Sequence, residues 1–171
     1  MAMQIDQSQP FILIGLSFGG MLAVEIAKKF PALQLILIAS ISHHRYLPKY
    51  YRIAYRAGMH RILGTNIIKK AVYVKRYFTS ESKDDKTIIR QMARDMDPEF
   101  VQWAIRAVVN WQTNEEELPV YHIHGTKDLI LPFAVNKIQY KIPGAGHLMI
   151  FDRAHEINLV LKSLLENKKF P

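Results

Sequence analysis

The sequence predicts an α/β fold: a short, mostly parallel sheet with flanking helices and an inserted, all-helical segment. Three observations carry this expectation. Residues 11–15 and 33–40 are short, almost wholly apolar runs rich in Ile and Leu, the pattern of strands buried on both faces. A helical stretch joins them within about thirty residues, which makes a βαβ unit and therefore a parallel pair covered by helices. Between Ser42 and Glu117 no strand-like run occurs and helical spacing dominates, over a length too great for a simple crossover.

The elements follow in order. The first strand, FILIG, breaks at Gly15 into a helix carried by Met21, Leu22, Val24, Glu25 and Ala27 to Phe30, where Pro31 stops it. LQLILIAS at residues 33–40 is the second strand. Within the helical insertion, Asp97-Pro98-Glu99 is a strong helix start, with a capping carboxylate, proline at the first helical position and an acid in the first turn. Phe100, Trp103, Ala104, Ala107, Val108 and Trp111 share one face of that helix and form its expected buried stripe. After Glu115-Glu116-Glu117 the sheet resumes with LPVYHIHG at residues 118–125, and a shorter strand follows around residues 137–142. A closing helix at residues 152–166 offers Ile157, Leu159, Val160, Leu161, Leu164 and Leu165 to the sheet, and the tail NKKFP frays. The organisation is thus residues 1–41 as a βαβ part of the core, 42–117 as a helical cap and 118–171 as the remainder of the core.

Composition narrows the function classes. The 171 residues are 49% hydrophobic and 22% charged, which is globular and not disordered composition. A chain of this size buries roughly two thirds of its unfolded surface without a staple. No cysteine is present, which excludes disulfides, thiolate zinc sites and a cysteine nucleophile. The first ten residues lack the basic start and apolar core of a signal peptide, and the longest apolar stretches, 11–16 and 35–41, fall far short of the ~20 residues a membrane helix needs. A cytoplasmic protein is expected.

The chemistry begins at Gly15-Leu16-Ser17-Phe18-Gly19-Gly20, between the first strand and its helix. In this G-x-S-x-G pattern the glycines leave room for a tight strand-to-helix turn, so the serine takes a strained backbone and projects its hydroxyl from the carboxyl edge of the sheet. The helix amino terminus favours negative charge there, with the Phe18 N–H as an oxyanion donor. Gly125-Thr126-Lys127-Asp128 places a carboxylate past the end of the third strand, and Gly144-Ala145-Gly146-His147 places an imidazole after the last. In the order Ser17, Asp128, His147, the histidine serves as base to the serine and the carboxylate fixes its tautomer.

These three signatures, GLSFGG, HGTKD and GAGH, resemble those of the α/β-hydrolase family, in particular its small, capped, esterase-like members. The resemblance covers most of the chain from Pro10 to Glu166, with residues 42–117 matching the family's variable cap. It implies a partial α/β-hydrolase fold and a cofactor-free serine hydrolase acting on a small-molecule carboxylic ester or related acyl bond. It also implies Ser17 as nucleophile, Asp128 as acid, His147 as base, the Phe18 N–H as oxyanion donor and Gly15, Gly19 and Gly20 as the elbow. One departure is large. Family members place four strands before the nucleophile strand, and the loop after the third supplies a second oxyanion donor, whereas ten residues precede Phe11 here. A longer parent protein, a partner chain or second copy covering the exposed strand edge, and a hydrolase that has lost turnover each fit this departure.

Other features compete for a role. His122 and His124 lie two apart on a strand and face the same way. With no further ligand at a suitable spacing they are expected to be hydrogen-bonding residues and not a metal site. His43-His44 reads as a solvated turn into the cap, and Ser40 and Ser42 as residues past a strand end that cap a helix, with lining of the pocket as the alternative. Between Glu25 and Glu81 there are eleven Lys and Arg and no acid, against a net charge of +8 for the chain. Arg45, Lys49, Arg52 and Arg56 form a basic stripe opposite Leu47, Tyr51, Ala54, Tyr55, Met59 and Ile62. A solvated cap face is the first expectation for that stripe. The alternative is a non-catalytic module on the same fold that binds an anionic membrane surface or, less specifically, nucleic acid.

Overall fold

The computed structural model describes residues 4–6, 8–58, 87–88, 91–92, 94–112, 118–132 and 138–166. Met59 and Ile62 of the apolar stripe, the Glu115–117 run, Lys137 and the NKKFP tail lie outside the described residues. Strand β1 (Ile12–Leu16) leads into helix α1 (Phe18–Lys29), which is followed by β2 (Gln34–Ile38). A 3-10 turn (His44–Tyr46) and helix α2 (Lys49–Arg56) come next, then α3 (Pro98–Asn110). The chain returns to the sheet as β3 (Tyr121–Gly125) and β4 (Tyr140–Ile142) and closes with α4 (Met149–Asp152) and α5 (Ala154–Glu166). The four strands pair in the order β1-β2-β3-β4, all parallel. Among the described residues no helix is long and apolar enough to cross a membrane.

Parallel pairing puts both faces of β2 in the interior, and all five of its residues are buried. Leu35 and Leu37 pack with Ala23 and Val24 of α1 on one face. Ile36 and Ile38 pack on the other with Ile123, Ile142, Met149, Ile157 and Leu164. Each fully buried aliphatic side chain of this kind contributes about 1.5–3 kcal/mol relative to exposure. Beyond the carboxyl ends of the strands a third cluster joins Met21, Ile41, Leu47 and Leu131, against which Tyr51, Val108 and Trp111 pack. Polar ties reinforce it. The Tyr51 hydroxyl donates to the Ile130 carbonyl at 2.6 Å, and the Trp111 indole N–H to Glu25 of α1 at 2.8 Å.

Several expectations change in the folded chain. The first strand is not buried on both faces: Ile14 is 48% exposed, because β1 lies at the sheet edge with β2 as its sole partner among the described residues. The Asp97 carboxylate caps α3 by accepting from Glu99 N–H, yet Phe100 and Trp103 are 53% and 54% exposed and Val109 is the buried residue of that helix. Among the described residues α3 is best covered toward its carboxyl end, at Val108 and Val109. The closing helix breaks at Arg153 into α4 and α5, and Leu159 and Leu165 stay exposed while Ile157 and Leu164 are buried. Arg52 does not join a solvated stripe. Its guanidinium turns inward and donates to the carbonyls of His44 and Trp111 at 3.1 and 3.4 Å, stitching α2 to the end of α3. His43 is likewise buried and not solvated, its Nδ1 accepting from the Arg45 backbone and side chain.

Among the described residues β1 has one open edge and a half-exposed isoleucine, a template for pairing with a second copy. In light scattering the apparent size of the wild type is expected to rise with concentration and that of Ile14→Lys to stay flat. Identical curves would show that the edge is covered.

Candidate active site

The backbone of Ser17 has φ 50° and ψ −122°, a conformation in the left-handed half of the map that non-glycine residues seldom adopt. It persists because β2 grips it from both sides. Ser17 N–H donates to the Ile38 carbonyl at 2.9 Å, and the Ser40 hydroxyl donates to the Ser17 carbonyl at 2.7 Å. Ser40 thus caps no helix but braces the elbow, a role that its place two residues past a strand did not announce. The next residue upstream, Ala39, also has positive φ, 45°, so the end of β2 is bent to present this hydroxyl.

The glycines divide in importance. A Cβ on Gly15 would run into the Gly20 Cα and lie 2.6 Å from the Gly19 carbonyl oxygen, and one on Gly20 would meet the Ser40 side chain. Gly19 has open space where its Cβ would stand. The close approach of strand to helix therefore demands Gly15 and Gly20, and the second glycine of the G-x-S-x-G pattern is sterically dispensable. Phe18 opens α1, where the first backbone N–H groups lie outside the helical ladder and are available to an anion. The Phe18 ring meets Trp103 of α3 edge-on at 5.8 Å, so the cap reaches to the residue beside Ser17.

Asp128 and His147 come from two loops tied together below the site. Lys127 N–H donates to the Ala145 carbonyl at 2.9 Å, Gly144 N–H to the Thr126 hydroxyl at 2.8 Å, and Thr126 N–H to the Ile142 carbonyl at 3.1 Å. Gly125 is required there, since a Cβ would strike the Ala145 carbonyl. Those ties bring the three candidate residues into line: Ser17 Oγ is 2.8 Å from His147 Nε2, and His147 Nδ1 is 2.8 Å from Asp128 Oδ2. The other carboxylate oxygen accepts the Ile130 and Leu131 backbone N–H groups, each at 2.9 Å.

Burial pushes the Asp128 carboxyl up, but hydrogen bonds from His124 and His147, attraction to His147 and the Leu131 N–H outweigh it and hold the group well below the usual carboxylate range. An ionised carboxylate only accepts, so His147 Nδ1 carries the proton and Nε2 presents its lone pair to the Ser17 hydroxyl. That is the tautomer a general base needs. His122 and His124, two residues apart on β3, do face the same way, and their rings hydrogen-bond to each other at 3.1 Å. Among the described residues no group of three or more metal-ligating side chains occurs.

Two measurements test this architecture. Gly15→Ala is expected to lower stability by about 1–3 kcal/mol or more through backbone overpacking, whereas Gly19→Ala is neutral or stabilising by up to ~1 kcal/mol, as a helical glycine-to-alanine change is. Equal losses in thermal unfolding would contradict the steric division. For Asp128, the folded-state depression stabilises the protein above the unfolded carboxyl's titration near 3.8 and is lost as pH falls below it, because the unfolded chain then binds a proton that the native site refuses. Urea midpoints between about pH 5 and pH 2 are expected to fall more steeply for wild type than for Asp128→Asn, the difference opening below the unfolded carboxyl's titration. Parallel curves would count against an ionised, clamped Asp128.

Residues 2–158 match the model of the alpha/beta hydrolase family. Among solved structures, a thermophilic esterase superposes with a TM-score of 0.64 at 19% identity, over 92% of this chain and 66% of the esterase. Est816, described as an N-acyl homoserine lactone degrading enzyme, superposes with a TM-score of 0.62 at 19% identity, over 95% and 69% of the two chains. MGS-M2, an alpha/beta hydrolase from a Medee basin deep-sea metagenome library, gives 0.60 at 12% identity, over 95% and 67%. The chain therefore spans about two thirds of the length of these structures. Among curated protein sequences none matches it at a significant level. With its parallel sheet, its strained strand-to-helix serine and a family model that runs through most of its length, the chain belongs to the alpha/beta hydrolase family.

Proposed function

We propose that the protein is a serine hydrolase that cleaves a carboxylic ester or related acyl bond through an acyl-enzyme on Ser17. The observation that carries this reading is the unbroken hydrogen-bond line from Ser17 Oγ through His147 to Asp128, 2.8 Å at each step. As a substrate carbonyl approaches, Ser17 Oγ bonds to the carbonyl carbon while His147 Nε2 takes the hydroxyl proton. The Phe18 N–H stabilises the oxyanion, and Asp128 steadies the imidazolium. Collapse expels the alcohol, which leaves with the proton from His147. Water then repeats the sequence on the acyl-serine, activated by the same imidazole, and releases the acid. The chemistry uses no metal or cofactor. The esterase and lactone-degrading likenesses support an ester-type bond, and the Phe18–Trp103 contact sets an aromatic wall beside the nucleophile.

Activated esters with good leaving groups have low intrinsic barriers, so aryl acetates are the expected substrates and amides are not. A backbone donor at the oxyanion is worth ~10²–10³ in turnover, which is the contribution assigned to the Phe18 N–H. Wild type is expected to hydrolyse an aryl acetate and to be labelled by a fluorophosphonate at Ser17 alone, and Ser17→Ala to lose roughly 10³-fold or more of that rate. Equal ester rates in the two variants, together with binding to anionic liposomes that weakens as salt rises, would replace this reading with a binding module acting through the basic cap.

A further inference from the structure

Behind Asp128 the interior holds a second imidazole arm that the proposed reaction does not use. His124 is 1% exposed, and its Nε2 lies 2.8 Å from the Leu131 carbonyl oxygen and 3.2 Å from Asp128 Oδ2. Both of those atoms only accept, so Nε2 carries a proton and donates between them. Its Nδ1 then faces His122 Nε2 at 3.1 Å, with the two rings edge-on and 5.1 Å apart. With His124 neutral, that contact is satisfied when His122 donates and His124 accepts. The donors therefore run one way, from His122 to His124 to Asp128, and meet the donor from His147 on the same carboxylate oxygen. Among the described residues the titratable groups facing Asp128 are His124, with His122 behind it, both from β3, and His147 from the loop after β4. Ser17 from the turn between β1 and α1 stands beyond His147.

We propose that His124, oriented by His122, is a positioning residue that shares Asp128 Oδ2 with His147 and so sets how tightly the carboxylate holds the imidazolium formed during turnover. This rests on the proposed hydrolase reading and deepens it. The physical reason is competition for one oxygen. A buried carboxylate that already receives two backbone N–H groups on Oδ1 has one oxygen left, and each donor placed there disperses charge that would otherwise attract the other. With His124 in place, the imidazolium at His147 is stabilised enough to form yet gives its proton back to the leaving group. Without it, Oδ2 turns wholly to His147 and the proton is held longer. His122 matters because it fixes which His124 nitrogen bears the hydrogen.

The test is an NMR titration of the His147 ring signals in wild type, His124→Leu and His124→Gln, with fluorophosphonate labelling of Ser17 in parallel. The titration needs no turnover, so it reports on the coupling independently of activity. The expected result for His124→Leu is a midpoint raised by about 1 pH unit. His124→Gln, whose side-chain amide can place a donor near the position of the imidazole Nε2, is expected to return it toward the wild-type value. A purely structural role would slow labelling in both variants without moving the midpoint. An unmoved midpoint in folded His124→Leu, or a shift that His124→Gln fails to reverse, overturns the proposal. Should His124→Leu not fold, His124→Gln beside His122→Leu decides it: a wild-type midpoint in the first and a raised one in the second support the coupling, and any other pair of values overturns it. Absence of Ser17 labelling in wild type with the shift present would overturn the hydrolase reading while leaving the coupling between His124 and His147 supported.

Discussion

The clamp between the carboxyl end of β2 and the Ser17 peptide is the constraint on which the candidate site depends. A non-glycine residue with φ near 50° is held there at a cost of order 1–3 kcal/mol. The Ile38 carbonyl and the Ser40 hydroxyl oppose relaxation by occupying the N–H and the carbonyl of the strained residue. Both partners belong to the most thoroughly buried strand or to the residues just past it, so the strain rests on the stiffest part of the molecule. Gly15 and Gly20 let α1 approach β1 closely enough for the clamp to close. If the helix stood off from the sheet, the serine would relax and its hydroxyl would no longer meet the imidazole.

The second constraint is electrostatic. Asp128 is 2% exposed, and a carboxylate so placed must be surrounded by donors or lose its charge. Two backbone amides and two imidazoles meet that requirement, and they do so from three separate stretches of chain: β3, the turn carrying Asp128 itself and the loop after β4. The same contacts that keep the acid ionised also choose the tautomer of His147 and hence the direction of the proton on Ser17. Stability and reactivity are linked at this oxygen pair.

Among the described residues, α2 and α3 are tied to the rest of the chain by a handful of polar contacts. Trp111 reaches Glu25, Tyr51 reaches the Ile130 carbonyl, and Arg52 joins the His44 and Trp111 carbonyls, while the amino-terminal half of α3 leaves Phe100 and Trp103 half exposed beside Phe18. Arg45 and Arg52 show why a charge stripe in a sequence is a poor guide to a surface: two of its four members donate hydrogen bonds within the protein.

Local pattern was enough to read the βαβ core, its parallel pairing and the capped start of α3, and to name Ser17, Asp128 and His147 as candidates that the fold brings within hydrogen-bond reach of one another. An all-apolar run marks a strand of a parallel sheet, though of β1 and β2 only β2 is covered on both faces, Asp-Pro-Glu starts a helix through its own side chains, and residues placed at the carboxyl ends of parallel strands converge on one edge of the sheet. The remaining features depend on neighbours distant in sequence. Helical periodicity names a face of α3 but not how much of it the core covers, so the exposure of Phe100 and Trp103 was not legible. The motif names Gly19, but the approach of Ser40, 20 residues beyond Gly20, makes Gly20 the glycine that cannot change. The spacing of His122 and His124 puts them on one face of a strand; that His124 turns its Nε2 onto the acid of the candidate triad follows from the bend that brings Asp128 and Leu131 back over β3, and no local pattern encodes that bend.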